Sequence, residues 1–137
     1  MSDDDTSSSP PGPTPFDMMG GEARVRGLVD RFYDVMDLDP RFAVLRQVHG
    51  STLEEARDKL FWFLCGWLGG PNHYIERFGH PRLRARHLPF SIGREERDQW
   101  LACMFQAMEE EQVPQALLAR LQQSFFDTAD WMRNRAD

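Results

Sequence analysis

Apolar residues recur along this chain with the period of a helix, and no stretch of useful length alternates with the period of a strand. Over residues 22–36, Val25, Leu28, Val29, Phe32 and Met36 fall three or four positions apart, predicting an amphipathic helix with Tyr33 on the edge of its apolar stripe. Pro40, in LDPRF at 38–42, breaks that pattern and leaves 41–48 room for only a short helix or turn. Leu53, Ala56, Leu60, Phe63, Leu64 and Trp67 predict a second helix over 52–68, with Thr52 and Glu55 spaced as a capping box and Gly69, Gly70 and Pro71 as its stop. Residues 72–93 show no long period and read as loop with one short helix around 81–87. Helical patterning resumes at Arg94 and runs to about Glu111, with Trp100, Cys103, Met104, Ala107 and Met108 on one face. A last helix starts at Pro114, a good first-turn residue, and carries Leu117, Leu121, Phe125, Thr128 and Met132. The expectation is an all-α fold of four long helices.

Composition adds limits. Residues 1–15 are rich in Ser, Pro, Asp and Gly and read as a disordered tail, so the domain is expected over 16–137. The acidic start lacks the positive charge and apolar stretch of an export signal, and no apolar run approaches the roughly 18 residues of a membrane span. A cytoplasmic protein without membrane association is expected, with Cys65 and Cys103 as buried free thiols rather than a disulfide. The net charge is −6, half of it from Asp3, Asp4 and Asp5, and the near-neutral remainder argues against nucleic acid as a partner.

Two features point toward chemistry. Arg77, Arg82, Arg84, Arg86, Arg94 and Arg97 cluster in the least regular part of the chain, which suits something anionic. Within that cluster RARHLPF, at 84–90, places His87 between arginines and an apolar turn. The residues alone leave His87 open among a cap, a general base, a nucleic-acid contact and a metal ligand. Aromatics make up 12% of the chain and occur on every long helix, which fits either an aromatic core or helices set around a flat guest.

The chain resembles the group II truncated haemoglobins. The matching text is MMGGE (18–22), RFYDVM (31–36), GWLGGP (66–71), GHPRLRARHLPF (79–90) and ERDQWLACM (96–104), an ordered set spanning roughly 16–132. The resemblance implies a truncated globin fold, a two-over-two helical sandwich around haem b. It implies His87 as the proximal iron ligand, a neutral imidazole whose other ring nitrogen needs an acceptor to fix its tautomer. On the distal side it implies Tyr33 and Trp100 as hydrogen-bond donors, each an aromatic body with one polar group. His49 aligns with a further distal position if one residue is missing from its loop, as a donor or as a sixth iron ligand. Ala56 stands where many globins carry a distal histidine, and its small side chain widens access. Leu60, with Phe63 and Leu64 beside it, is expected to line the pocket, and Phe90 to form an apolar wall beneath the ring. Arg84 or Arg86 is expected to pair with a haem propionate, with Arg86 favoured. His80, in GHP, reads as structural.

The function implied is reversible binding of dioxygen, nitric oxide or carbon monoxide at a five-coordinate ferrous iron. The alternative is a haem enzyme with peroxidase or nitric oxide dioxygenase activity. Lone glycine pairs are no dinucleotide fingerprint, so a reductase would be a separate protein. Monomer and homodimer both remain open.

Overall fold

The computed structural model describes residues 12–135, so residues 1–11 of the tail expected over 1–15 lie outside them. Eight α-helices and one 3-10 turn account for the architecture among the described residues, with no strand.

Helix α1, Pro15–Met19, begins one residue inside the expected tail because Thr14 caps it: the Thr14 hydroxyl accepts from the Asp17 amide, and the Asp17 carboxylate accepts from the Thr14 amide. Gly20, at φ +110°, ends it in the left-handed region that glycine adopts without steric cost. Helix α2, Glu22–Leu38, buries the expected stripe together with Tyr33 and Val35. Asp39 then accepts from the Arg41 amide and starts the 3-10 turn Pro40–Phe42, which leads into α3, Ala43–Val48. Helix α4 spans Glu54–Trp67. The predicted Thr52 capping box is absent: the helix starts two residues later than expected, its cap position is Leu53, and no side chain bonds its first amides.

The irregular stretch holds two short helices rather than one, α5 at His73–Phe78 and α6 at Leu83–His87. Helix α7 follows at Arg94–Glu110, where Glu96 reaches back to the Gly93 amide at 2.8 Å, and α8 at Gln115–Trp131. Helix α2 packs on α4 and on α7, and α7 packs on α8, which gives the two-over-two sandwich. Phe32, Leu28, Met36, Leu64, Met104, Met108 and Leu117 are fully buried in the shared core. Each such side chain contributes roughly 1.5–3 kcal/mol over exposure, whereas an exposed ion pair gives about 0–1. Apolar packing therefore holds the sandwich, and the ion pairs between α2 and α4 orient it.

Gly70 is required by a close approach. A Cβ there would lie 2.5 Å from the Phe16 ring, which sits against the GGP turn while the Phe16 amide donates to the Leu68 carbonyl at 2.9 Å.

Candidate functional site

Helix α6 is one turn and a half of chain whose geometry is set by its own polar groups. Arg82 precedes it at φ +47°, an uncommon conformation for a residue with a side chain. His80 Nδ1 accepts the Arg82 amide at 3.1 Å, and Arg86 Nε donates to the Pro81 carbonyl at 2.7 Å, which together hold that turn. His87 Nδ1 lies 2.6 Å from the Leu83 carbonyl. A carbonyl can only accept, so Nδ1 carries the proton and Nε2 presents a lone pair, the form that ligates a metal. No residue of α6 is buried, and beyond it Leu88 and Phe90 are 54% and 44% exposed.

Tyr33 is buried on α2 with its ring edge-on to His49 at 5.8 Å. Burial pushes its phenol well above the ordinary 10.0, with the nearby Arg57 cation opposing, so the hydroxyl stays protonated and available as a donor. Phe32 sits between Tyr33 at 4.9 Å and Trp100 at 5.2 Å, and Cys103 donates to the Phe32 carbonyl at 3.2 Å, pinning α7 against α2 there. Neither the Tyr33 hydroxyl nor the Trp100 indole nitrogen forms a hydrogen bond among the described residues. His49 Nδ1 bonds the Leu45 carbonyl at 3.1 Å, and the Leu45 amide donates to Gln99 Oε1 at 3.0 Å, so α7 anchors the His49 loop through α3. Burial lowers the His49 pKa; the Leu45 bond opposes this, and the charges of Arg46 and His87 add to it.

On helix α4, Ala56, Leu60 and Phe63 are half-buried, while Leu64 is turned into the core. The aromatic residues form a continuous chain of ring contacts. Tyr74 meets Phe63 at 6.3 Å, Phe63 meets Trp67 at 6.3 Å, Trp67 stacks on Phe125 at 4.8 Å, and Phe125 meets Trp100 at 5.5 Å. The line continues through Phe32 and Tyr33 to His49. Rings from α2, α4, α5, α7 and α8 thus form one connected line of contacts, which meets the expectation of an aromatic core.

These residues fit a flat apolar group with a metal at its centre. An apolar wall stays half-exposed, an imidazole offers Nε2, and aromatic donors stand without partners. A bacterial-like globin family model matches residues 14–134. The chain belongs to the globins of that family. It is 42% identical over 106 residues to the group 2 truncated hemoglobin YjbI of Bacillus subtilis, an alignment covering 74% of this chain and 78% of that one. The cold-adapted truncated hemoglobin of the Antarctic bacterium Pseudoalteromonas haloplanktis TAC125 superposes with a TM-score of 0.87 at 41% identity, over 90% of this chain and 99% of the other. The group II 2-on-2 hemoglobin of Agrobacterium tumefaciens gives 0.87 at 38% identity, over 94% and 99%. The globin is accordingly a group II truncated haemoglobin, with a haem cofactor and diatomic gases as its ligand class.

The arginines of this globin separate in the structure. Arg84 spends Nε and Nη2 on the carbonyls of Trp131 and Arg133, both at 3.1 Å. Arg86 is exposed, with its guanidinium 5.6 Å from the Tyr74 ring centre. His73 bonds Glu22 at 3.0 Å and stacks on Phe61. Sequence reasoning missed Arg57, Gln99 and Asn134. Their partners are 23 to 54 positions away and leave no local pattern, although Asp30 and Asp34, one turn apart on α2, advertise an acidic face.

Proposed function

We propose that this globin holds haem b through Nε2 of His87 and binds dioxygen, with nitric oxide and carbon monoxide as alternative ligands, beside Tyr33 and Trp100 as donors. The observation that carries this reading is the bond from His87 Nδ1 to the Leu83 carbonyl, which fixes the tautomer and leaves Nε2 as the ligating atom. Bound haem supplies a ferrous iron with one position open to a diatomic gas.

The chain's own residues do the rest. The Tyr33 hydroxyl and the Trp100 N–H direct donors at negative charge developing on the ligand, in surroundings dry enough to strengthen them. The His49 Nδ1 proton is committed to Leu45, so Nε2 has no proton to give. That arrangement favours His49 as an occasional sixth ligand over a donor. Ala56 leaves the entrance beside Tyr33 wide. Leu60, Phe63 and Phe90 supply apolar surface for the ring, and Leu64 backs them from the core. Arg86 keeps its terminal nitrogens for a propionate, while Arg84 serves chiefly the C-terminal carbonyls. Both cysteines are buried away from RARHLPF, which supports non-covalent haem b over a thioether-linked form, and free buried thiols suit a cytoplasmic setting. Turnover chemistry would need electrons from a separate reductase.

The test replaces His87 with Gly. The expected result is loss of the five-coordinate ferrous spectrum and its recovery on adding imidazole. An unchanged spectrum, indifferent to imidazole, removes the assignment.

A further inference from the structure

Helix α6 carries the proximal histidine yet buries none of its residues. Hydrogen bonds tie it and the turn after it to the segment just beyond α8. Asn134 Nδ2 donates to the Phe90 carbonyl at 2.8 Å and to the His87 carbonyl at 3.3 Å. Its Oδ1 accepts the Ile92 amide at 3.0 Å, and its own amide donates to the Ile92 carbonyl at 2.9 Å. From the other side Arg84 donates to the Trp131 and Arg133 carbonyls. Arg135 adds bonds to Ser91 Oγ at 2.9 Å and to Glu96 Oε1 at 3.0 Å, and Glu96 holds the Gly93 amide that opens α7.

The chemistry is that of a helix end. The last carbonyls of a helix have no partner within it; Pro89 contributes no amide, and the His87 carbonyl takes the Phe90 amide at 3.0 Å with Asn134 as a second donor. Asn134 supplies donors from more than 40 positions away, including one to the iron-ligand candidate's own carbonyl. Because the imidazole is oriented by the Leu83 carbonyl one turn earlier, any shift or tilt of α6 moves Nε2 with it.

We propose that residues 131–135 form a strap that sets the position of the proximal imidazole, with Asn134 and Arg84 as its positioning residues. This rests on the reading of His87 as iron ligand. The strap makes the proximal side dependent on the end of the chain and separates it from the distal side, where α2, α4 and α7 are locked by packing.

Asn134→Asp in the haem-loaded protein is the decisive variant, since it keeps size and the acceptor toward Ile92 but removes both donor bonds. Arg84→Met attacks the other half. The expected results are amide exchange across 84–92 faster by about tenfold, haem loss faster by a similar factor, and a shifted or broadened iron–imidazole stretching band in the ferrous protein. The melting temperature alone does not decide, because any surface hydrogen bond can move it. An unchanged stretching band together with unchanged haem loss overturns the strap in both variants. Failure of the His87 reading itself looks different: the His87→Gly protein would then keep its spectrum and ignore imidazole, and the strap falls with it.

Discussion

The guanidinium carbon of Arg57 lies 5.8 Å from the centre of the Tyr33 ring, and its nitrogens bond both aspartates that flank that tyrosine on α2. Nη2 reaches Asp34 at 2.7 Å, and Nη1 reaches the Asp30 carboxylate at 3.2 Å and its carbonyl at 3.1 Å. The residue after Ala56 thus ties α4 to α2 and sets a positive charge beside the phenol. A cation there makes the hydroxyl a stronger donor and holds its ring in place, at an energy of about 0.5–2 kcal/mol for a partly desolvated pair. Arg57→Met should speed dioxygen release about three- to tenfold. In a Tyr33→Phe background the same change should do almost nothing. Equal effects in both backgrounds, read by stopped-flow mixing, would make Arg57 a structural tie only.

The distal donors and His49 make opposite predictions. Tyr33→Phe and Trp100→Phe each remove one donor, so each should raise the dioxygen release rate by about tenfold, the worth of a hydrogen bond in a dry site. His49 has its proton committed to Leu45, so His49→Ala should leave release within about twofold, the margin of a side chain that gives no hydrogen bond. Its mark should be on the ferric protein, where a low-spin fraction present in the parent is lost from the variant. A tenfold faster release in His49→Ala with no change of spin state reverses the assignment.

Gly70 offers a stability test. A Cβ would stand 2.5 to 2.8 Å from three atoms of the Phe16 ring. Overpacking of this kind costs about 1–3 kcal/mol. Gly70→Ala should lower the urea midpoint accordingly while leaving the dioxygen release rate alone, since α1 is remote from Tyr33 and His87. Pairing it with Phe16→Leu should recover part of the loss, and no recovery would place the strain elsewhere.

The long helices were legible because each carries a stripe of four or more apolar residues, and a period repeated over several turns survives local exceptions. The proposed roles of His87 and Tyr33 came from motif resemblance, not from physics visible in the sequence. Thr52 failed as a cap because spacing alone does not fix φ and ψ, and Leu53 takes the cap position instead. Helix α5 escaped notice because six residues with a single buried side chain, Tyr74, cannot show a period. Arg57, Gln99 and Asn134 stayed invisible for a different reason. Each acts across the fold, and a hydrogen bond between distant positions imposes no pattern on its neighbours in the chain. What the sequence hid is thus mostly the set of ties that hold the functional side chains in register.

The buried thiols give a prediction about pH. Burial pushes the Cys65 thiol up to about 11 and Cys103 up to about 12, from an ordinary 9.0, and both residues have 0% exposure. Unfolded, each thiol ionises near 9.0; folded, each keeps its proton to higher pH. The native state therefore binds more protons above that point, and stability falls as pH rises. The contribution is fully present below pH 9.0 and is lost progressively toward the folded values, with a limiting slope of about 1.4 kcal/mol per pH unit for each thiol. The thiols lead in the window between 9.0 and 10.0, because the phenol of Tyr33, with an ordinary value of 10.0, reaches half of its own alkaline slope only at the top of it. Chemical denaturation across that window should show a decline that the Cys65→Ala, Cys103→Ala double variant largely abolishes. The same burial predicts that iodoacetamide labels neither thiol in the native protein and both after unfolding. Rapid labelling of the native protein, or an equal alkaline decline in the double variant, would show that the thiols are not held neutral by the core.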